Sequence, residues 1–460
     1  MNDTLPRFLR LGAVLAVVAA LLAFLVRSAS AQAPAQSGGS RRLTLGEAAR
    51  LAASQTIGVV SAQYRVQEAQ ARVSQSRSAL LPQVDASPNW SSRTINSATF
   101  GFNFPPAPGQ KPLLDPDGQI IGPVKIWDFR GGVIQSLYDP TATQRVRAAR
   151  SGVYAASADV ATVAEQSANG AASVYIRAIR SDAALQARIA DSTLAAGLLT
   201  IARDQLAAGV GVALDVTRAE SQLATARAQL IVVRNDRDRA RLDLLRALNL
   251  PLDTRLDLSD SLATLPLPPA ENEQAAVELA LRERPDIRAA TAQLDLAQQQ
   301  LAVIRATRLP RVAAFGNDGE IGFINHLLNT YTFGVQLSWP IYEGGRRDAQ
   351  AQEQEAAAHD IEARRRDLQQ QVAVDVRGAM LDLASAREQV DAARERLRLA
   401  EQEVEQARDR FRAGVAGNAD VITASLTLNT ARTSLVDALT AFQGARVALA
   451  RAQGTVQQLR

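Results

Sequence analysis

No proline occurs between Thr141 and Leu250 or between Ile341 and Arg460. Proline removes a backbone donor and clashes with the preceding turn, so stretches this long without it can form very long helices. Nine of the 18 prolines crowd between Pro82 and Pro140, and Pro251, Pro266, Pro268, Pro269 and Pro285 interrupt the middle of the chain. Aromatic residues do the reverse. Thirteen of the 20, with all three Trp, lie in Pro82–Pro140 or Pro310–Tyr342. Two short aromatic segments therefore alternate with two long helical ones.

That alternation is an internal repeat. Leu81-Pro82-Gln83-Val84-Asp85-Ala86 aligns with Leu309-Pro310-Arg311-Val312-Ala313-Ala314 at an offset of 228. Leu137-Tyr138-Asp139-Pro140 aligns with Ile341-Tyr342-Glu343-Gly344 at 204. Ala208-Gly209-Val210 with Asp215-Val216 aligns with Ala413-Gly414-Val415 and Asp420-Val421 at 205. The fall in offset places about 24 extra residues in the first half, around Phe100–Pro123, a Pro- and Gly-rich stretch that reads as a loop.

The second half shows a coiled-coil seam. Leu383, Val390, Leu397, Val404 and Phe411 are seven apart, and Ala386, Ala393, Ala400 and Ala407 each follow three later. The pattern resumes at Val421, Leu428, Leu435, Phe442, Leu449 and Val456, with Ala three residues after each of the first five. Alanine lets helix axes approach closely. The Gly-rich break between Arg412 and Ala419 predicts an antiparallel hairpin, with Gly414 or Gly417 ending the first helix. Pro140–Leu206 and Gly345–Phe411 are each 67 residues, or about 100 Å of helix. A single globular core is never that wide.

Thr330–Trp339 alternates strictly: Tyr331, Phe333, Val335, Leu337 and Trp339 share one face, Thr332, Gly334, Gln336 and Ser338 the other. Trp127, Phe129, Val133 and Leu137 repeat this more weakly, and Val84–Thr94 and Val312–Phe323 are candidate partner strands. Segments of about 10 alternating residues with aromatic ends suit a membrane β-strand, with Trp127, Phe129, Tyr331, Phe333 and Trp339 as interface aromatics. Four strands per chain cannot close a barrel, and lipid does not tolerate open edges, so a membrane reading requires several chains.

Arg7 and Arg10, the apolar run Leu11–Val26 and Ser28-Ala29-Ser30-Ala31 read as a signal peptide, residues 1–31. The chain has no cysteine, which excludes an N-terminal lipobox, a disulfide framework and thiolate metal sites. With only His326 and His359, no phosphate loop and no nucleophile elbow, neither catalytic residues, metal nor cofactor are expected. Basic and acidic residues balance at 51 and 47, leaving no concentrated patch for nucleic acid.

The duplicated Ala-Gly-Val-x4-Asp-Val motif, the junction Trp339-Pro340-Ile341-Tyr342-Glu343-Gly344-Gly345-Arg346 and the secretion signal resemble the TolC-like outer membrane factors. The resemblance spans the mature chain. It implies a mainly α fold with a β-barrel part: a homotrimer with a 12-stranded outer-membrane barrel, a 12-helix periplasmic tunnel and an equatorial domain. Residues 32–250 would form the first repeat, with loop 100–123 and hairpin 141–250. Residues 251–285 would be a Pro-rich equatorial linker, and 286–460 the second repeat with hairpin 345–457. Gly209, Val210, Gly414 and Val415 would meet a periplasmic adaptor (membrane fusion) protein that links the duct to an inner-membrane pump of RND or ABC type. Outer-membrane lipid would surround the barrel. Asp215 and Asp420 would ring the pore or cap their helices.

The family's gate pattern is incomplete here. A second aspartate is replaced by Arg218 and Thr423, the gate tyrosine by Phe411 and the gate arginine by Ala416. Asp215, Asp420, Leu206 and Phe411 are therefore expected at the pore constriction, with an apolar closed state. The implied function is a passive duct for efflux or type I secretion. The alternative is a periplasmic adaptor or structural coiled-coil protein without a membrane barrel. An apolar gate predicts that Phe411→Ala raises single-channel conductance in planar bilayers, and an unchanged conductance would contradict it.

Overall fold

The structure is a computed structural model that describes residues 41–100, 118–263, 272–415 and 417–459. The expected signal peptide, most of the loop at 100–123 and Ala416 lie outside the described residues. Residues 42–252 and 256–460 make one unit. Asp253–Arg255 are assigned to a separate small unit, as a turn and extended chain.

The elements are β1 (Arg41–Leu43), α1 (Leu45–Gln55), α2 (Ile57–Ser78), β2 (Gln83–Asn96), β3 (Ile120–Tyr138), α3 (Pro140–Ala207) and α4 (Ala213–Ala247) in the first half. The second half has β4 (Leu256–Leu258), α5 (Glu273–Glu283), α6 (Pro285–Ala306), β5 (Arg311–Phe323), β6 (His326–Ser338), α7 (Arg346–Arg412) and α8 (Asn418–Gln453). β3 begins at Ile120, so the last residues of the expected 100–123 loop are strand instead. Residues 273–283 are not linker either. α1 and α5, like α2 and α6, are related by the 228-residue offset at both ends, so the second repeat starts before residue 286. Low aromatic content and a neighbouring proline cluster hid that helix from the sequence pattern.

α3 and α7 have 68 and 67 residues, about 100 Å each. α4 and α8 have only 35 and 36 residues, so each covers one half of its long neighbour. Along the other half, α3 packs against α2 and α6, and α7 against α6. The long helices are thus supported by two shorter helices in succession rather than by one hairpin partner.

The seam holds as sequence periodicity requires. Ala400, Val404, Ala424, Leu428 and Ala431 bury together, and Ala386, Val390 and Phe442 form the next layer. Where α3 meets α8, Asp191 is buried and accepts from Arg188 Nη1 at 3.1 Å and Arg432 Nη1 at 2.8 Å. An uncompensated buried carboxylate would be strongly destabilising, so this triad fixes which residues of the two repeats face each other.

Two repeat-related cores lie midway along the helices. One joins α1, the middle of α3 and the ends of α4 and α8; the other joins α5, the middle of α7 and the end of α8. In the first, Tyr175 is fully buried, and its hydroxyl donates to the Leu43 carbonyl at 2.8 Å beside Asp260. Burial, then the Asp260 charge, pushes the phenol far above its usual range, so it stays a donor. Asp260 also accepts from Leu45 N at 2.6 Å, and Thr44 and Glu47 complete a capping box on α1.

The four long strands form one antiparallel sheet in the order β2-β3-β5-β6. β5 and β6 are joined by a tight hairpin with Phe323 opposite His326. β3–β5 pairing unites the two repeats. β2 and β6 are its edges, and both helical repeats leave from the same end of it.

Two substitutions test this packing. Tyr175→Phe is expected to lower stability by about 1–2 kcal/mol through the lost hydrogen bond. Ala431→Leu should cost about 1–3 kcal/mol by forcing α7 and α8 apart. Thermal unfolding followed by helical circular dichroism reads both, and unchanged melting would refute the buried positions.

Candidate functional site

Both long helices end the same way. Gly209 and Gly414 take left-handed φ of 75° and 70°. Val210 N–H donates to the Gln205 carbonyl and Val415 N–H to the Arg410 carbonyl, each at 3.0 Å. This closes the last turn with a residue that lacks Cβ where the backbone turns left-handed. Of the two candidates at the second turn, Gly414 fills that role, and Gly417 is instead the N-cap of α8 in extended conformation. The turns leave Val210 78 % and Val415 69 % exposed.

Asp215 and Asp420 do not cap their helices. The N-caps are Val212 and Gly417, neither with a side-chain cap bond, and the aspartates stand in the first turn. There they face the positive end of the helix dipole. Asp215 is half-buried with Arg218 3.9 Å away, whereas Asp420 is exposed. Leu206 is 40 % exposed. Phe411 is only 3 % exposed, packed with Ala195, Leu198, Leu199, Ala202 and Val421. Its ring is therefore core and cannot line a pore, because it occupies the seam position seven residues after Val404. The expected apolar gate built on it is corrected.

Besides this apolar packing, two hydrogen bonds join the tips. Gln205 Nε2 donates to the Phe411 carbonyl at 2.7 Å, and Asn418 Nδ2 donates to the Asp215 carbonyl at 2.8 Å. Each bond runs from one repeat to the other. Asn418 is fully buried, and its Oδ1 has no partner among the described residues, which makes this contact costly to maintain. Sequence reasoning missed both residues. Neither has a counterpart of the same type in the other repeat: Arg410 matches Gln205 and Ala213 matches Asn418.

At the other end of the helices, strand register sorts the side chains by face. Trp90 pairs with Trp127, Gly316 with Phe333, and Asp318 with Tyr331. One face thus carries Val84, Trp90, Trp127, Phe129, Val133, Tyr331, Phe333, Val335 and Leu337. The other carries Asp85, Asp128, Arg130, Asn317 and Thr332, mixed with Ile126, Ile134, Phe315, Ile321 and Leu328. Trp90 and Trp127 rings lie 6.2 Å apart, Trp127 stacks on Phe129 at 5.8 Å, and Tyr331 on Phe333 at 6.4 Å. Asp318 and Glu320 share the apolar face, in the half of β5 nearer the hairpin. Trp90 was missing from the expected interface aromatics, although Val84, Ala86, Pro88 and Trp90 alternate. Leu137 falls at a register shift between Ser136 and Tyr138, which puts Tyr138 opposite Val312.

The strand ends join the helices differently in the two repeats. Asp139 caps α3 through Ala142 N at 2.9 Å, with Pro140 in the first turn. In the second repeat Gly344 and Gly345 take φ of 62° and 78°, and Glu343 binds Arg346 and Arg347. These hydrogen bonds, first from Arg347 and then from Arg346, hold the Glu343 carboxyl below its usual range. Both acids at the junction are structural.

The model of the outer membrane efflux protein family matches residues 48–250 and 276–455. The chain belongs to that family. The pyoverdine export outer membrane protein OpmQ of Pseudomonas aeruginosa is 27% identical over 415 residues, covering 87% of this chain and 82% of OpmQ. The alkaline protease secretion protein AprF of the same organism is 27% identical over 245 residues, covering 50% of this chain and 49% of AprF. The chain thus spans about half of the length of AprF. The solved outer membrane protein VceC of Vibrio cholerae has the same fold, with a TM-score of 0.69 and 18% identity over 89% of this chain and 96% of that one. Family membership makes the chain an outer-membrane protein. Among the described residues no helix is long and apolar enough to cross a membrane.

Gln205→Ala with Asn418→Ala removes both hydrogen bonds between the tips. Reconstituted in planar bilayers, the double variant is expected to show higher conductance than the parent. Phe411→Ala should instead act through lost packing, lowering stability by about 3–5 kcal/mol in a melting experiment.

Proposed function

We propose that the chain works as a homotrimeric outer-membrane duct of a tripartite efflux or type I secretion system. The observation that carries this reading is the four-stranded sheet, with two edges free among the described residues, Trp90, Trp127, Phe129, Tyr331 and Phe333 on one face and Asp85, Asp128 and Arg130 on the other, at one end of helices of about 100 Å. A bilayer admits such a sheet only when β2 and β6 of neighbouring chains close it. Three chains give twelve strands, with the polar face around the lumen and the aromatic face toward lipid.

The outer helices support the same assembly. α4 exposes Leu214, Ile231 and Val232, and α7 exposes Val374, Leu381 and Leu399. These two helices flank α3 and α8 on opposite sides, so apolar surfaces of neighbouring chains can meet there. At the tips, Gly209-Val210 and Gly414-Val415 present exposed apolar knobs that suit a periplasmic adaptor. Asp215, Asp420 and Leu206 are the candidates for the constriction, and a ring of Asp420 would favour cations. The adaptor would connect the duct to an inner-membrane pump, and the duct itself performs no catalytic step.

Membrane fractionation followed by unheated SDS electrophoresis tests the assembly. A heat-modifiable band at three chain masses in the outer membrane is expected, and a soluble monomer would sink the reading. Val210→Glu with Val415→Glu should abolish export in cells while that band persists. Full export by the double variant would remove the tips from the partner interface.

A further inference from the structure

We infer that the junction between β6 and α7 holds a phospholipid headgroup phosphate, one per chain. A cleft of about 330 Å³ lies there, lined by Arg308, Arg346 and Arg347 together with Trp339, Ile341 and Tyr342. Three guanidinium groups meet two carboxylates, Glu343 and Asp348. Arg347 is spent on structure: it is 11% exposed and donates to Glu343 at 2.6 Å and to the Pro340 carbonyl at 2.7 Å. Arg346 and Arg308 remain 63% and 52% exposed. Each has one carboxylate partner, Glu343 and Asp348 respectively, and keeps guanidinium N–H donors for a further anion. Planar guanidinium forks match the oxygens of a phosphate.

The apolar side of the cleft makes the phosphate that of a lipid. Trp339 is 61% exposed, and Ile341 and Tyr342 are 83% exposed. They follow in sequence the exposed apolar face of β6, which runs through Tyr331, Phe333, Val335 and Leu337. Trp339 Nε1 donates to the Arg308 carbonyl at 3.2 Å, fixing the indole beside the arginines. Apolar bodies next to cationic heads, where membrane strands end, are the arrangement that meets the polar boundary of a bilayer. A second copy of the chain fits less well. Its free β2 edge would arrive with Leu81, Pro82, Gln83 and Val84, and no carboxylate to meet the arginines. Asp85 points to the opposite face of the sheet from Val84.

This inference rests on the membrane reading above, so the test begins with full-length protein extracted from outer membranes. Dihexanoyl-phosphatidylglycerol, inorganic phosphate and dihexanoylglycerol are titrated against it under native mass spectrometry. The phosphatidylglycerol is expected to bind, with Arg308→Ala/Arg346→Ala weakening it at least tenfold and Arg346→Lys weakening it less than Arg346→Ala. Inorganic phosphate binding equally well would overturn the lipid assignment, and equal binding of dihexanoylglycerol would overturn the headgroup. Unchanged lipid binding in the double variant also overturns it, as does loss of the heat-modifiable oligomer with lipid binding intact, which would mark a subunit contact. A parent protein absent from the membrane fraction refutes the membrane reading itself.

Discussion

Backbone groups at a sheet edge must find partners when lipid replaces water. In this chain β2 and β6 are 14 and 13 residues long, and each leaves one side of its ladder open. Long open edges invite pairing with another chain. The duplication therefore makes a barrel segment rather than a barrel. The register of β3 with β5 is decisive, because it joins the two repeats into one surface with a single apolar face.

The helical part solves a different problem. A helix of about 100 Å cannot be stabilised by propensity alone and needs an apolar stripe along its whole length. Alanine at alternate seam positions supplies close contact without width. The shorter helices α2, α4, α6 and α8 share the task, and the two central cores sit where one supporting helix gives way to the next. Tyr175, Asp260 and the capped start of α1 pin that change-over in the first repeat. In the second repeat, Arg284 takes a comparable place. It pairs with Asp286 and Asp375 and donates to the Ala452 carbonyl, tying the start of α6 to α7 and α8.

The two repeats are alike in outline and unlike in detail. Their helix-ending turns match through Val210 and Val415, since one left-handed glycine and one following valine suffice to specify them. Their strand-to-helix junctions diverge: an aspartate cap and a proline in the first, two left-handed glycines and a ring of arginines in the second. The bonds between tips are one-sided as well. Gln205 and Asn418 each act across the repeats without an equivalent on the other side, so the pseudo-symmetry of the chain is broken where its two hairpins meet.

Much of this was legible in the residues. Proline-free length, heptad spacing, strict alternation in Thr330–Trp339 and the duplicated Ala-Gly-Val turn each encode a local geometry, and local geometry needs only neighbours along the chain. The role of Phe411 was not legible. A seam position and a pore position can carry the same side chain, and only packing against α3 shows which one it occupies. Asn418, Gln205 and the contact of Asp191 with Arg432 were silent for the same reason, because the partners lie more than 200 residues apart. The helix α5 was hidden by the prolines beside it. The sequence by itself determined the elements, their lengths and their duplication, since these follow from backbone sterics and periodic burial. The tertiary structure alone decided which faces meet, which charges are paired and which edges stay open, since these depend on contacts between residues far apart in the chain.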